Sequence, residues 1–451
     1  MMQICLINPP IEDFYYTKVR RQPLGLLYIA GTLRHAGYTV SLIDGHSNKK
    51  HVMNLPGSFD YLQEYFNHSD PLLRFPFYNY YHFGLSYQEI RRQIIQSKAS
   101  LFMISSMFTT YHEECENIIN TIKEIHPFSF IAVGGYHASL YPDHFLINTA
   151  ADFVIEGEGE EPALKLANAI FNNKTHDNIE GLSYKGNGVI SRTNRKNNLA
   201  DIDSITSPAR ELLNLRQFKF YKKNVTPLIA SRGCPNNCKF CSGKIIWGNS
   251  HRYRNTDGIV KEIDECVKKQ NINCFNFEDE NLFITKDRAV TLLEALLEYQ
   301  KKNSIQLEFT AMNGISIENL DENIISLMKK TGFNEINISL VTHSEKLQLM
   351  EKRPFGTEHF FRIISYAKKL CMDVRAYFIL GLPGQTKEEV IETIKYLNSL
   401  EIDFYPSVYY NVWAPYSQWK QQRSSAFFNE SELLSRADLI RFFNICRKKS
   451  S

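Results

Sequence analysis

The run Ser231-Arg232-Gly233-Cys234-Pro235-Asn236-Asn237-Cys238-Lys239-Phe240-Cys241 decides how the rest of this sequence is read. Its C-x3-C-x2-C spacing sets three thiolates on one short loop. There they can ligate three irons of a [4Fe–4S] cluster and leave the fourth open for a substrate or cofactor. A structural zinc site asks for four protein ligands, and no second C-x2-C pair lies within reach. Cys266 and Cys274 could supply a fourth ligand, but Cys266 follows Ile259 and Ile263 on an apolar helical stripe, the pattern of a core cysteine. Nine cysteines is an odd number, and the six outside the loop are scattered among apolar residues, which argues against a disulfide framework. The iron–sulfur reading leads, with zinc as the alternative.

Composition agrees with an enzyme of the cell interior. A chain of 451 residues, 43% hydrophobic and 22% charged, has ordinary globular usage and room for two or three domains. A net charge of +3 is too small to argue for nucleic acid or an anionic membrane. No apolar run reaches the roughly 18 residues of a membrane span, and Met1-Met2-Gln3-Ile4-Cys5 lacks the charged-then-apolar layout of a signal peptide. Free thiols beside an oxygen-sensitive cluster point to a reducing, anaerobic, cytoplasmic setting.

Ahead of the cysteine loop, strand and helix patterns alternate over residues 1–175, which predicts a parallel sheet wrapped by helices. Strands are expected at Gln3–Asn8, Tyr38–Asp44, Ser100–Ser106, Phe128–Gly134 and Ala151–Glu156. Helices are expected at Pro23–Ala36, His112–Ile125 and from Glu161. A flavodoxin-like or Rossmann-like order puts ligands at the carboxyl ends of such strands. The unusual residues cluster there: Asn8-Pro9-Pro10, Ser105-Ser106-Met107, Gly134-Gly135-Tyr136-His137 and Glu156-Gly157-Glu158-Gly159-Glu160. Glycines at such ends let the backbone approach a large ligand.

Residues 46–97 form an insertion too long for an ordinary loop, dense in aromatics such as Phe59, Tyr61, Phe75, Phe77 and Tyr80. It reads first as a small helical cap with its own core, and second as a lid over a pocket. Residues 176–220 read as a linker carrying a hairpin around Gly186-Asn187-Gly188, with Arg192, Arg195 and Lys196 as a solvated face. Over residues 221–420 alternation resumes. Strands are expected at Pro227–Ser231, Cys274–Phe277, Gln306–Ala311, Glu335–Leu340, Arg375–Leu380 and Ser407–Val412, with helices such as Gly258–Lys268, Ala289–Lys302 and Lys387–Leu400 between them. Residues 421–451 close the chain as a helical segment.

The cysteine loop, with Phe240 just before its third cysteine, resembles the signature of the radical S-adenosylmethionine (radical SAM) enzymes. The six strand–helix units resemble that family's partial (β/α)6 TIM-type barrel, with the cysteine loop at the end where barrel active sites form. The N-terminal strand ends, together with Pro23-Leu24-Gly25-Leu26-Leu27-Tyr28-Ile29-Ala30, resemble the Rossmann-like cobalamin-binding domain found ahead of many radical SAM barrels. Ala200-Asp201-Ile202-Asp203-Ser204-Ile205 resembles the linker between the two.

The resemblance implies three cofactors: a [4Fe–4S] cluster on Cys234, Cys238 and Cys241, S-adenosylmethionine (SAM), and cobalamin. In this family SAM chelates the open iron and is cleaved by one electron to a 5′-deoxyadenosyl radical. The implied SAM contacts are Phe240 beside the adenine, one of Glu278, Asp279 and Glu280 for the ammonium group, and Asn313 with Gly314 for the carboxylate or ribose. Ile379 and Gly381 in Phe378–Gly384 would read adenine. The implied cobalamin contacts are Asn8, Pro9, Ser105, Ser106, Gly134, Gly135, Tyr136, His137, Gly157, Glu158 and Gly159. Asp44-Gly45-His46 looks like the start of D-x-H-x-x-G, whose histidine ligates cobalt. The sixth position is Lys49, however, and the triplet ends the second strand rather than the first, so His46 reads as a turn residue. The chain also departs from the family at Ser339-Leu340-Val341-Thr342, where relatives often have G-x-E-S: Val341 replaces the glutamate, and Thr342 is left for a ribose contact. Trp413-Ala414-Pro415-Tyr416-Ser417 lacks the usual P-G-T.

The expected activity is cobalamin-dependent methylation of an unactivated carbon in a small molecule or peptide, with an electron donor such as flavodoxin or ferredoxin and no nucleic-acid or membrane partner. The deoxyadenosyl radical would remove hydrogen, methylcobalamin would supply the methyl group, and a second SAM would remethylate it. Alternatives are cyclisation, rearrangement or oxidation on the same machinery, and a non-catalytic cobalamin or metal sensor. An RNA methylthiotransferase is disfavoured, because no basic tail or second cysteine triad is evident.

Overall fold

The computed structural model describes residues 3–15, 22–46, 49–186, 188–195, 201–248, 250–353, 356–423 and 426–447. Met1, Met2, Asn187, Lys196 and Ala200, which entered the readings above, lie outside these. No helix of the described residues is long and apolar enough to cross a membrane.

The N-terminal apolar runs pair in parallel, in the order Thr39–Asp44, Gln3–Asn8, Leu101–Ser105, Phe130–Gly134, Phe153–Ile155. Counted along the chain this is 2-1-3-4-5, the flavodoxin-like order. Residues alternate between faces: Cys5 and Ile7 enter one core with Ile118 and Phe145, and Ile4 and Leu6 enter another with Leu33 and Leu166. Burial on both faces is why these strands read as unbroken apolar runs.

The hairpin Leu182–Gly186 and Val189–Arg192 does not stand in a free connector, as its place in the expected linker implied. It pairs antiparallel onto Phe153–Ile155 and extends the sheet, covering an edge that would otherwise expose open hydrogen-bonding groups. The chain then packs on the first helix (Leu24–His35), where the Ala209 amide donates to the Leu27 carbonyl at 2.9 Å.

Six parallel strands form the second half: Lys223–Leu228, Cys274–Phe277, Glu308–Thr310, Glu335–Val341, Asp373–Leu380 and Asp403–Val408. The first three and last three are separate sheets joined by bridges at Phe309–Phe333 and Ile315–Ile338, giving an open barrel. The first strand begins and ends earlier than expected, because Ser231–Arg232 pairs instead with Arg252–Tyr253. The last strand also begins and ends earlier than expected, burying Phe404 and Val408, and the Tyr409 amide closes the ladder on the Leu380 carbonyl at 2.9 Å.

The aromatic insertion differs from expectation. It is not a helical cap with its own core. Lys50–Met53 and Tyr80–Phe83 form a small sheet with Ile11–Asp13, and Phe59, Leu62, Phe75 and Tyr80 merge with the barrel core. Phe75 meets Phe427, and Phe77 meets Phe443 on the C-terminal helix (Arg436–Arg447). The insertion's rings also meet one another, as Phe66 with Phe75 and Phe75 with Phe77, so its packing runs on into the barrel core and the C-terminal segment.

Candidate active site

One cavity of about 880 Å³ lies between the carboxyl ends of the N-terminal strands and the mouth of the barrel. Asn8, Pro9, Ser105, Ser106, Gly134, Gly135, Tyr136, His137, Gly157, Glu158 and Gly159 border it from the sheet. Cys234, Cys238, Phe240, Cys241, Glu278, Glu280 and Asn313 border it from the barrel. Asp279, Thr342, Ile379 and Gly381 do not.

On the sheet side, Asn8 donates from Nδ2 to Asp44 Oδ1 at 2.8 Å, tying the end of the first strand to that of the edge strand beside it. Gly135 has φ +110°, and a Cβ there would lie 2.6 Å from the Ser106 carbonyl oxygen, so only glycine fits this close strand-end crossing. His137 is buried against Phe145 and Trp419, with Nδ1 beside Thr109 Oγ1 at 3.2 Å, and burial pulls its pKa well below the ordinary histidine value. His46, read from sequence as a turn residue, borders the same cavity, with its amide on Asp44 Oδ1 at 3.2 Å. Glu158 borders the cavity too, but its carboxylate oxygens face Arg232 Nη1 and Arg252 Nη1, each at 2.8 Å. Its charge is engaged by the cysteine-loop segment, which physically competes with a role toward cobalamin. Arg195 also departs from expectation. It is no solvated face, since its guanidinium donates to the carbonyls of Ile245 (2.5 Å) and Ile246 just past the cysteine loop.

On the barrel side all three loop cysteines are free thiols, and no other cysteine borders the cavity among the described residues. Cys266 and Cys274 are buried in the barrel core. The Cys241 amide donates to the Cys238 carbonyl at 3.2 Å and Gly243 N–H to Cys241 Sγ at 3.4 Å, folding the loop back on itself. Asn281 Nδ2 lies 4.0 Å from Cys234 Sγ. Burial pushes the Cys238 thiol up to about 11, opposed by the Arg353 guanidinium. Among the described residues no three His, Cys, Asp or Glu side chains converge on a single ion. A cubane asks for something else, one thiolate per iron along three directions, and three free thiols opening on one cavity fit that demand.

The acidic trio separates by geometry. Asp279 is 2% exposed and accepts from Ala230 N at 3.1 Å and Ser231 Oγ at 2.5 Å, so it holds the strand end beneath the loop. Burial pushes its carboxyl up to about 7. Glu278 faces Asn276 and accepts from Asn313 Nδ2 at 3.2 Å. Glu280 accepts from Tyr136 OH at 3.1 Å and Gly233 N at 3.3 Å. Glu278 and Glu280 therefore remain as carboxylates facing the cavity.

Thr342 is fully buried because a bulge between Ser339 and Val341, with Val341 at φ +68°, turns the strand end away. Its hydroxyl takes the Ser344 amide at 3.2 Å, and Ser339 borders the cavity instead. Gly381 faces Leu439 and Asn429 of the C-terminal segment, and Gln385 holds this strand end, receiving Gly381 N at 2.7 Å and donating to the Ile379 carbonyl at 3.1 Å. Sequence reasoning missed Arg353, Ser316 and Tyr410, which also border the cavity. Arg353 pairs with Glu318 at 2.8 Å and donates to Ser316 Oγ at 2.8 Å. A buried arginine in an otherwise unremarkable helix-end run carries no local signal.

A flavodoxin-like sheet facing an open (β/α)6 barrel, with three thiols at their shared cavity, defines a two-module α/β enzyme. Comparison with known proteins agrees. The radical SAM superfamily model matches residues 228–397, and the B12 binding domain model matches residues 78–167. An uncharacterized methyltransferase of Pyrococcus horikoshii is 24% identical over 407 residues, covering 90% of this chain and 79% of its own. The cytidylyl-2-hydroxyethylphosphonate methyltransferase of Streptomyces wedmorensis is 24% identical over 87% of this chain and 76% of its own. An anaerobic magnesium-protoporphyrin IX monomethyl ester cyclase of Rubrivivax gelatinosus is 26% identical over 88% of this chain and 64% of its own. Two solved structures share the fold at 15% identity. They are the methyltransferase TsrM of Kitasatospora setae with cobalamin and a [4Fe–4S] cluster (TM-score 0.67; 90% of this chain, 72% of that one), and OxsB with aqua-cobalamin and SAM (TM-score 0.68; 100% and 61%). The chain belongs to the radical SAM enzymes that carry a B12-binding domain ahead of the barrel.

Proposed function

We propose that this protein is a cobalamin-dependent radical SAM methyltransferase acting on an unactivated carbon of a small molecule or peptide. The observation that carries the reading is the shared cavity on which Cys234, Cys238 and Cys241 and the four N-terminal strand ends all open. When bound, the cluster with SAM supplies a hydrogen-abstracting radical and cobalamin supplies a methyl group. Cys234, Cys238 and Cys241 would hold the cluster, with Arg353 as a nearby cation that favours the thiolate forms of Cys238 and Cys241. Glu278 or Glu280 would receive the SAM ammonium, and Asn313 its carboxylate or ribose. The Gly134-Gly135 and Gly157–Gly159 turns would admit the corrin, and apolar residues such as Met107, Phe108 and Val412 would exclude water from the reacting carbon.

The second reading is radical chemistry without methyl transfer, favoured by the likeness to the anaerobic cyclase. One experiment separates the two. Protein reconstituted anaerobically with iron, sulfide and hydroxocobalamin is given SAM, a reductant and candidate substrates. Methyl transfer yields both 5′-deoxyadenosine and S-adenosylhomocysteine with a methylated product. 5′-Deoxyadenosine alone favours the second reading, and neither product refutes both.

A further inference from the structure

Tyr136 stands at an odd place for a cobalamin contact. It opens the short helix Tyr136–Leu140 after the Gly134-Gly135 strand end, yet its phenol reaches across to the barrel. The hydroxyl accepts from Trp247 Nε1 at 2.6 Å and donates to Glu280 Oε1 at 3.1 Å. Trp247 ends the short helix after the cysteine loop, and its ring meets Tyr136 edge-on with centroids 6.5 Å apart. The other Glu280 oxygen accepts from the amide of Gly233, one residue before Cys234. Glu280 is thus gripped from two sides, by the sheet module through Tyr136 and by the cysteine loop through Gly233.

Resting on the function proposed above, we infer that Tyr136 is a positioning residue that fixes the Glu280 carboxylate for the α-ammonium group of SAM, so that the N-terminal domain completes the SAM site. The physical reason is pre-organisation. A glutamate has three rotatable bonds, and a carboxylate that must order itself on binding loses that entropy from the affinity. The Tyr136 hydroxyl and the Gly233 amide hold the two oxygens in one orientation, set to meet a charged amine in the cavity. The indole donor polarises the phenol and strengthens its own donation. The Glu278 oxygens face Asn276 and Asn313, both residues of the barrel itself.

The test is a double-mutant cycle on protein carrying its cluster and corrinoid, read by equilibrium binding of SAM. Tyr136→Phe keeps the ring and should weaken SAM about tenfold, the order of one hydrogen bond to a charged group, with iron, sulfide and corrinoid content unchanged. Glu280→Gln should weaken SAM as well, and adding Tyr136→Phe to it should cost nothing more, because the phenol acts through the carboxylate. Trp247→Phe, which spares both partners, should give a smaller loss in the same direction. Wild-type SAM affinity in Tyr136→Phe overturns the inference. So does an equal further loss in the Glu280→Gln background, which marks a general structural effect, or a loss of corrinoid with SAM unaffected, which returns Tyr136 to the cobalamin site. If the cluster-loaded wild type binds no SAM, the proposed function itself fails and this inference falls with it.

Discussion

Replacing Arg232 with methionine should loosen the junction between the two domains. Arg232 reaches Glu158 at 2.8 Å and Glu160 at 2.5 Å, and the three side chains are only 5%, 5% and 8% exposed. Burial alone would disfavour the guanidinium, but the two carboxylates outweigh it and hold its pKa above the ordinary arginine value. The rings of Tyr28 and Trp247 pack 5.4 Å from the guanidinium. Removing one partner of a buried ion pair costs about 3–5 kcal/mol, because the other charge is left desolvated. Arg252 still compensates Glu158 at 2.8 Å, so Glu160 is the main orphan and the lower end, about 3 kcal/mol, is expected. Against a total stability of roughly 5–15 kcal/mol this is a large loss. Urea unfolding of wild type, Arg232→Met, Glu160→Gln and the double variant checks it. The double variant should recover most of the loss, since a neutral pair no longer buries an uncompensated charge. A loss below about 1 kcal/mol for Arg232→Met, the range of an exposed pair, or strictly additive single effects, would refute the reasoning.

Alanine at Cys234, Cys238 and Cys241 together should abolish the brown chromophore and SAM cleavage while leaving far-UV circular dichroism intact; a full cluster in that variant would overturn the ligand assignment. Gly135→Ala should destabilise the protein by about 1–3 kcal/mol, as its Cβ meets the Ser106 carbonyl and its φ is positive, and hydroxocobalamin retained at wild-type level would count against the cradle. His46→Ala should leave the spectrum of bound corrinoid unchanged, and a shifted spectrum would make His46 a cobalt ligand. Asp279, raised to about 7 from 3.8, binds its proton more tightly folded than unfolded. Its stabilisation is therefore full below pH 3.8 and is lost as pH rises to about 7. Relative to Asp279→Asn, wild-type stability should fall across that window in unfolding titrations, and a flat or rising difference would sink the argument.

What the chain discloses by itself is local in origin. The C-x3-C-x2-C loop is legible because its three cysteines sit within eight residues of each other, and the parallel strands because burial on both faces leaves continuous apolar runs. The strand-end glycines are legible because a crowded crossing such as Gly135 on Ser106 tolerates nothing larger. Only tertiary structure decided the rest. Glu158 faces Arg232 across 74 residues of chain, and Glu280 meets Tyr136 across 144, so neither partner could be inferred from spacing. Asp279 and Glu280 are adjacent and chemically alike, yet one is sealed under the cysteine loop while the other opens on the cavity, a difference set by which face of the strand end is buried. The aromatic insertion signalled a core but not whose, and its rings join the barrel core and meet the C-terminal helix. Thr342 left the site through a bulge, and His46 entered it through the stacking of loops after the first two strands. Periodicity and motif spacing act over a few residues, whereas the partners of buried charges are chosen by packing between distant elements, which fixes where each carboxylate points.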